Sequence, residues 1–174
     1  MFESNDTFVE DAVKSKETSE DKIKKAASIV AAVVFLGATV VTAGIVQIAS
    51  IVLLIVNAVI AFILIGNKNI EYEYDYTNGS LEIAKIINNE RRKKVVTVES
   101  SEVKMVAAVG TNESLKFDQV KLKTYDCSAH DEEQKDYILV ANSEAKGYDF
   151  KVIFSPSDKL LTAMEKYNKK DIYR

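Results

Sequence analysis

From Ala26 to Gly66 the chain carries no Asp, Glu, Lys or Arg. A bilayer core about 30 Å thick takes roughly 20 helical residues at about 1.5 Å each. A single helix over this block would be about 60 Å long, so two spans are the economical reading. Thr42, Gly44 and Gln47 cluster near the midpoint and predict spans over 26–43 and 47–65. No hydrophilic loop separates them, which makes a tight helical hairpin with almost nothing on its far side. Burying both helices inside a soluble globule would need a much larger protein around them. Seven acidic residues in the first 25, and an apolar run far longer than an h-region, argue against a secretory leader.

The average composition hides this block. Over 174 residues, 23 basic and 26 acidic side chains give a net charge of −3, and the mean hydropathy is −0.06. Residues 1–25 hold five basic and seven acidic residues, and residues 67–174 hold 18 and 19. Bulk charge therefore does not draw either flank to a membrane; the hairpin does. Lys22, Lys24 and Lys25 precede the first span, Lys68 follows the second, and the turn has no cation. The positive-inside rule then predicts a multi-pass protein of the cytoplasmic membrane with both termini in the cytoplasm. These four lysines are candidate contacts for anionic lipid.

Within the spans, Ala27, Ala31, Ala38 and Thr42 fall on one stripe, and Ser50, Asn57 and Ala61 on another. Small residues let helices approach, and an amide in lipid seeks a partner, each such bond contributing roughly 0.6–2 kcal/mol. Two readings stand: the stripes pack on each other inside the hairpin, or Asn57 mediates a homo-oligomer or lines a pathway.

Residues 1–25 read as a cytoplasmic amphipathic or disordered tail, with Thr18 and Asp21 spaced as a capping box that starts the first helix near Ser19. Phe8, Val9 and Val13 either lie on the membrane surface or dock on the carboxy-terminal domain. From Asn69 the period changes to two. Ile70, Tyr72, Tyr74 and Tyr76 alternate with Glu71, Glu73 and Asp75, and Asn78-Gly79 is a strong hairpin signal. Alternation continues through Leu81 and Ile83, breaks at 84–87 as at a bulge, and resumes at Val96 and Val98 after a turn at Asn88-Asn89. Further strands are predicted at Val103–Met105, Leu115–Phe117, Val120–Thr124, Tyr137–Ala141 and Tyr148–Phe154. Ser155 as N-cap and Pro156 at the first position predict a closing amphipathic helix over 156–167. About seven antiparallel strands in meander order, closed by one helix, over 69–174, form an α+β layout of the pleckstrin-homology kind; a lipocalin-like or generic meander is the alternative.

The run Asn69-Ile70-Glu71-Tyr72-Glu73-Tyr74-Asp75-Tyr76-Thr77-Asn78-Gly79, followed by Arg91-Arg92-Lys93-Lys94, resembles a family of small membrane proteins of Gram-positive anaerobes, a domain of unknown function. In that family, text like Asp6–Glu10 precedes a transmembrane hairpin and a bacterial PH-like domain follows. The resemblance implies architecture and membrane location and carries no catalytic residues. Phosphoinositide-binding PH domains place cations on the first hairpin loop, whereas Asn78-Gly79-Ser80 is uncharged here.

The four cations Arg91, Arg92, Lys93 and Lys94 read as a solvated hairpin turn or as a contact with anionic lipid, where each is worth about 1 kcal/mol. Lone Cys127 excludes an intramolecular disulfide, and a single His130 argues against a zinc site. Both fall in an acidic stretch, expected to be an exposed loop, whose carboxylates would blunt a thiolate. The tyrosine row reads as the core face of a strand. With no phosphate loop, serine elbow or basic excess, we expect no enzyme, no cofactor, no metal and no nucleic-acid partner. The chain reads as a membrane-anchored adaptor presenting its PH-like domain to a protein or to anionic lipid. The alternative is an accessory subunit of a larger transport or secretion complex.

Overall fold

The computed structural model describes residues 6–66, 69–117, 120–143 and 147–174. It divides into two units, Glu17–Lys68 and a second made of Met1–Lys16 with Asn69–Arg174.

In the helical unit, α1 spans Ser19–Val41 and α2 spans Ile45–Gly66. Thr18 starts α1 as its spacing predicts: its Oγ1 accepts the Asp21 N–H at 3.1 Å, and Asp21 Oδ2 accepts the Thr18 N–H at 3.4 Å. The Thr42 N–H closes the helix on the Ala38 carbonyl at 3.0 Å. Gly44, at φ +68°, completes the reversal. Gln47 thus lies inside α2, so the turn is shorter and earlier than its polar residues predict. Both helices are long and apolar enough to cross a membrane.

The second unit holds two sheets. Strands β1 (Phe8–Ser15), β2 (Ile70–Thr77), β3 (Ser80–Ile87) and β4 (Arg91–Glu99) form an antiparallel sheet in that order. Strands β5 (Val103–Ala108), β6 (Lys123–Cys127), β7 (Tyr137–Ser143), β8 (Tyr148–Phe154) and β9 (Ile172–Tyr173) form the other, in the order β6-β8-β7-β5-β9. Its β7 pairs antiparallel with β5 and β8, but β6–β8 and β5–β9 are parallel, so this half departs from a simple meander. Residues 112–115 form a helical turn, α3, instead of a strand, because Thr111 caps it by accepting the Ser114 N–H.

The amino-terminal tail is corrected most. Residues 8–15 are not a tail but an edge strand, registered Val9 to Tyr76 and Val13 to Tyr72. Both valines are buried in the core, and Phe8 points outward at 63% exposed. Docking on the carboxy-terminal domain is therefore the alternative realised. The β unit begins before the helices rather than at residue 69.

The interior is built from Tyr72, Tyr74, Tyr76, Leu81, Ile83, Val96 and Val98 of the first sheet against Leu139, Phe150, Val152 and Phe154 of the second. Each large apolar side chain so buried stabilises the unit by about 1.5–3 kcal/mol. Helix α4 (Asp158–Asn168) adds Leu160, Leu161 and Met164 to this core. Its cap is Ser157, whose Oγ accepts the Leu160 N–H at 3.3 Å, not Ser155. The Ser155 hydroxyl is committed elsewhere, accepting the Ala129 N–H at 2.8 Å and donating to Asp136. The β2–β3 reversal at Asn78 (φ 49°) and Gly79 (φ 93°) is tight. A Cβ at Gly79 would stand 2.9 Å from Ser100 Oγ and 3.1 Å from Tyr167 Cδ1, so that position takes no side chain without displacement.

Candidate functional site

Among the sequence-predicted cations, strand parity decides which are free. The cluster 91–94 is not a turn; it is the first half of β4, because the reversal is completed by Asn88 and Asn89 in the left-handed region. Pairing of β3 with β4 slips between Ile83 and Ala84, since Ile83 faces Val96 while Ala84 faces Lys94. Val95 is the extra residue of a bulge. Below it, Lys94 and Arg92 turn to the outer face of the sheet, which β2 and β3 make acidic. Arg92 contacts Glu73 at 2.8 Å, Asp75 at 2.8 Å and Glu82 at 3.1 Å, and Lys94 contacts Glu82 at 2.9 Å. Lys94 first, and Arg92 after it, hold the Glu82 carboxyl below its ordinary value. Glu73 and then Glu82 raise the Arg92 guanidinium further above its own. Phe8, Glu10 and Ser80 join these groups around a shallow depression of about 600 Å³.

Arg91 and Lys93 fall on the opposite face. Lys93 stands across from Lys85, which stands across from Tyr72; Arg91 stands across from Ile87, which stands across from Ile70. Directly opposed residues of antiparallel strands share a face. The Lys85 ammonium lies 5.9 Å from the centre of the Tyr72 ring. In the helical unit Lys24 pairs with Glu20 and Lys25 with Glu17. Lys68 lies outside the described residues. Of the sequence-predicted cations, Lys22, Arg91 and Lys93 have no carboxylate partner among the described residues.

Of the residues in the two predicted hairpin stripes, Ala27 alone falls off the packed side of its helix. Ala27 faces outward, and Ser28 takes its place inside, donating to Asn57 Oδ1 at 3.1 Å while the Asn57 amide donates to the Ser28 carbonyl at 3.0 Å. Ala31, Ala38 and Thr42 on α1, and Ser50 and Ala61 on α2, lie on the packed sides of their helices. The Ser50 hydroxyl meets that of Thr39 at 2.9 Å, and the Gln47 amide donates to the Thr39 carbonyl at 3.2 Å. Ser28 and Thr39 were missed because neither belongs to an alanine stripe; their spacing to Asn57 and Ser50 across an antiparallel turn was the available signal.

The stretch around Cys127 is not an exposed loop. Cys127 ends β6 with no exposed surface, and Ser128 and Ala129 are buried after it. Tyr74 explains why: its hydroxyl donates to the Cys127 carbonyl at 2.7 Å and accepts the Ser155 N–H at 3.2 Å. Burial, and next the charge of Asp126, push the Cys127 thiol up to about 12. The same burial raises the Tyr74 hydroxyl above its ordinary value. Ser128, His130 and Asp126 come together, but the Ser128 hydroxyl donates to Asp126 at 2.9 Å and lies 3.3 Å from His130 Nδ1. The serine is 1% exposed and bound to the carboxylate itself, an arrangement that locks the stretch rather than activating a nucleophile. Lys16 reaches Asp131 at 2.8 Å, and each moves the other's pKa toward the charged form.

Two sheets packed over a tyrosine row, closed by a carboxy-terminal helix and accompanied by two long apolar helices, define an α+β protein of the PH-like class. The family described as Bacterial PH-like domain (DUF6106) matches residues 5–174, and the chain belongs to it. That family is one of unknown function. No curated protein and no solved structure matches the chain significantly.

Proposed function

We propose that this protein is a membrane-anchored, non-enzymatic adaptor that holds its PH-like domain at the inner face of the cytoplasmic membrane for a protein or anionic-lipid partner. One observation carries the anchoring. Strands β1 and β2 are neighbours in one sheet, with Ser15 registered to Ile70, and the whole helical unit is looped out between them. A chain that leaves a sheet and returns to its adjacent strand crosses any membrane an even number of times. Two helices of spanning length, joined by a short turn, satisfy that count. The lysines at 22, 24, 25 and 68 favour the cytoplasmic side for the β unit.

A non-enzymatic role is supported by the buried, protonated Cys127 and by the bonding of Ser128 to Asp126. Reporter fusions at residue 1 and residue 174 in a bacterial host test the topology. Cytoplasmic activity at both ends, with the protein retained in the membrane after alkaline carbonate washing, is the expected result. Opposite compartments for the two ends, or release by carbonate, would refute it.

A further inference from the structure

Strand alternation divides four adjacent cations into two pairs, and the bulge at Val95 decides which pair meets the acidic face. Arg92 and Lys94 are consumed by Glu73, Asp75 and Glu82, whereas Arg91 and Lys93 are exposed and have no carboxylate partner among the described residues. We infer that Arg91 and Lys93, with Lys85 beside them, form the contact between the β unit and anionic lipid headgroups, and that Arg92 and Lys94 take no part in it. The inference rests on the anchored reading above and names the residues that serve it.

Position and chemistry support the choice. Ser15, Ile70, Ile87 and Arg91 are paired in one row across all four strands, so Arg91 marks the end of the sheet from which the chain leaves and to which it returns. Strand β1 ends at Ser15 and α1 begins at Ser19, while α2 ends at Gly66 and β2 begins at Ile70. Three residues on each side reach at most about 10–14 Å. Covalent length alone keeps this end of the sheet within a Debye length or so of a bilayer surface, whatever the angle between the units. The half-buried Ile70 and Ile87 beside Arg91 and Lys93 make the row amphipathic. Exposed cations without an enclosing pocket suit a surface that presents many phosphates. They do not suit one ligand held in fixed geometry.

The full chain in lipid nanodiscs tests this. A fluorophore on Glu90→Cys, in the turn beside the row, reports headgroup contact through a quencher carried on lipid headgroups; buried Cys127 stays unlabelled. In discs containing a phosphatidylglycerol fraction, quenching should exceed that in neutral discs. The Arg91→Gln/Lys93→Gln variant should lower the ratio of apposed to free domain about 30-fold. The Arg92→Gln/Lys94→Gln variant should keep the lipid dependence and show a lower melting temperature. Equal quenching of the Arg91→Gln/Lys93→Gln variant and the parent in anionic discs would overturn the inference. So would loss of the effect in a folded Arg92→Gln/Lys94→Gln variant. If carbonate releases the parent protein, the anchored reading fails as well; if the protein stays embedded without lipid dependence, only the contact fails.

Discussion

The two units of this protein dispose of their polar groups in opposite directions. The helical unit turns Ser28, Thr39, Ser50 and Asn57 toward its own seam and presents Val33, Val40, Ile48, Phe62 and their neighbours outward. The β unit buries Tyr74, Leu139 and Phe150 and spends its carboxylates and cations on its surface. With the helices in lipid, as proposed above, the seam between α1 and α2 is held by hydrogen bonds and close packing, because lipid offers no hydrophobic drive between helices. The core between the sheets is held by removal of apolar area from water.

The largest effect is expected from cutting the chain where composition suggests a boundary. A fragment 69–174 lacks β1, leaving the β2 edge unpaired and uncovering the side chains that Val9 and Val13 protect; it should aggregate instead of folding. Joining Lys16 to Asn69 through a short Asn-Gly turn in place of the helices should give a soluble, cooperatively melting domain, read by circular dichroism and size exclusion.

Next in size is a pair of tyrosines two residues apart. Tyr74→Phe leaves the buried Ser155 N–H without its acceptor and should cost about 1–3 kcal/mol in denaturant titration of that excised domain. Tyr76→Phe should be neutral or stabilising, because the Tyr76 hydroxyl is buried without a hydrogen-bond partner. In the helical unit, Asn57→Leu should weaken the hairpin by roughly 0.6–2 kcal/mol in a detergent melt and leave the oligomeric state unchanged, since its partner is Ser28 of the same chain. Loss of a crosslinked oligomer in that variant would place the amide between copies instead.

The smallest effect is electrostatic. Glu82 and Asp131 have lowered pKa values in the folded state, so the stability they supply is complete above their unfolded values. It falls as the pH drops below about 4.5 for Glu82 and 3.8 for Asp131, through the folded values. These groups sit near water and the loss should be slight. A melting temperature of the domain that does not decline from pH 5 to pH 3 would contradict the assignment.

Much of this was legible because it is local. The charge-free block, the Thr18–Asp21 cap, the Asn78-Gly79 reversal and the tyrosine alternation each depend on neighbours within a few residues. The break in alternation at 84–87 also showed, although not which cations it would turn outward. What escaped depends on distant partners. Val9 and Val13, four apart, fit a helix as well as a strand until Tyr76 and Tyr72 are brought opposite them. Ser155 looks like a cap until Ala129 and Asp136 claim its hydroxyl. The acidic residues near Cys127 suggest solvent, and only the hydroxyl of Tyr74 reveals that the thiol lies inside.

The looping of both helices between β1 and β2 also sets an order on biosynthesis. Strand β1 leaves the ribosome first, yet its partner β2 follows only after both spans have been made. Until β2 has been made, Phe8, Val9 and Val13 belong to an unpaired strand with nothing to join. An antiparallel helical hairpin returns the chain to the side it left, so pairing of α1 with α2 itself brings the two strand ends together and spares much of the entropy of closing so long a loop. Completion of the β unit thereby follows pairing of the helices, and a copy in which α1 and α2 fail to pair should be left with an unfinished sheet and two exposed apolar helices, the features by which quality-control proteases find their substrates.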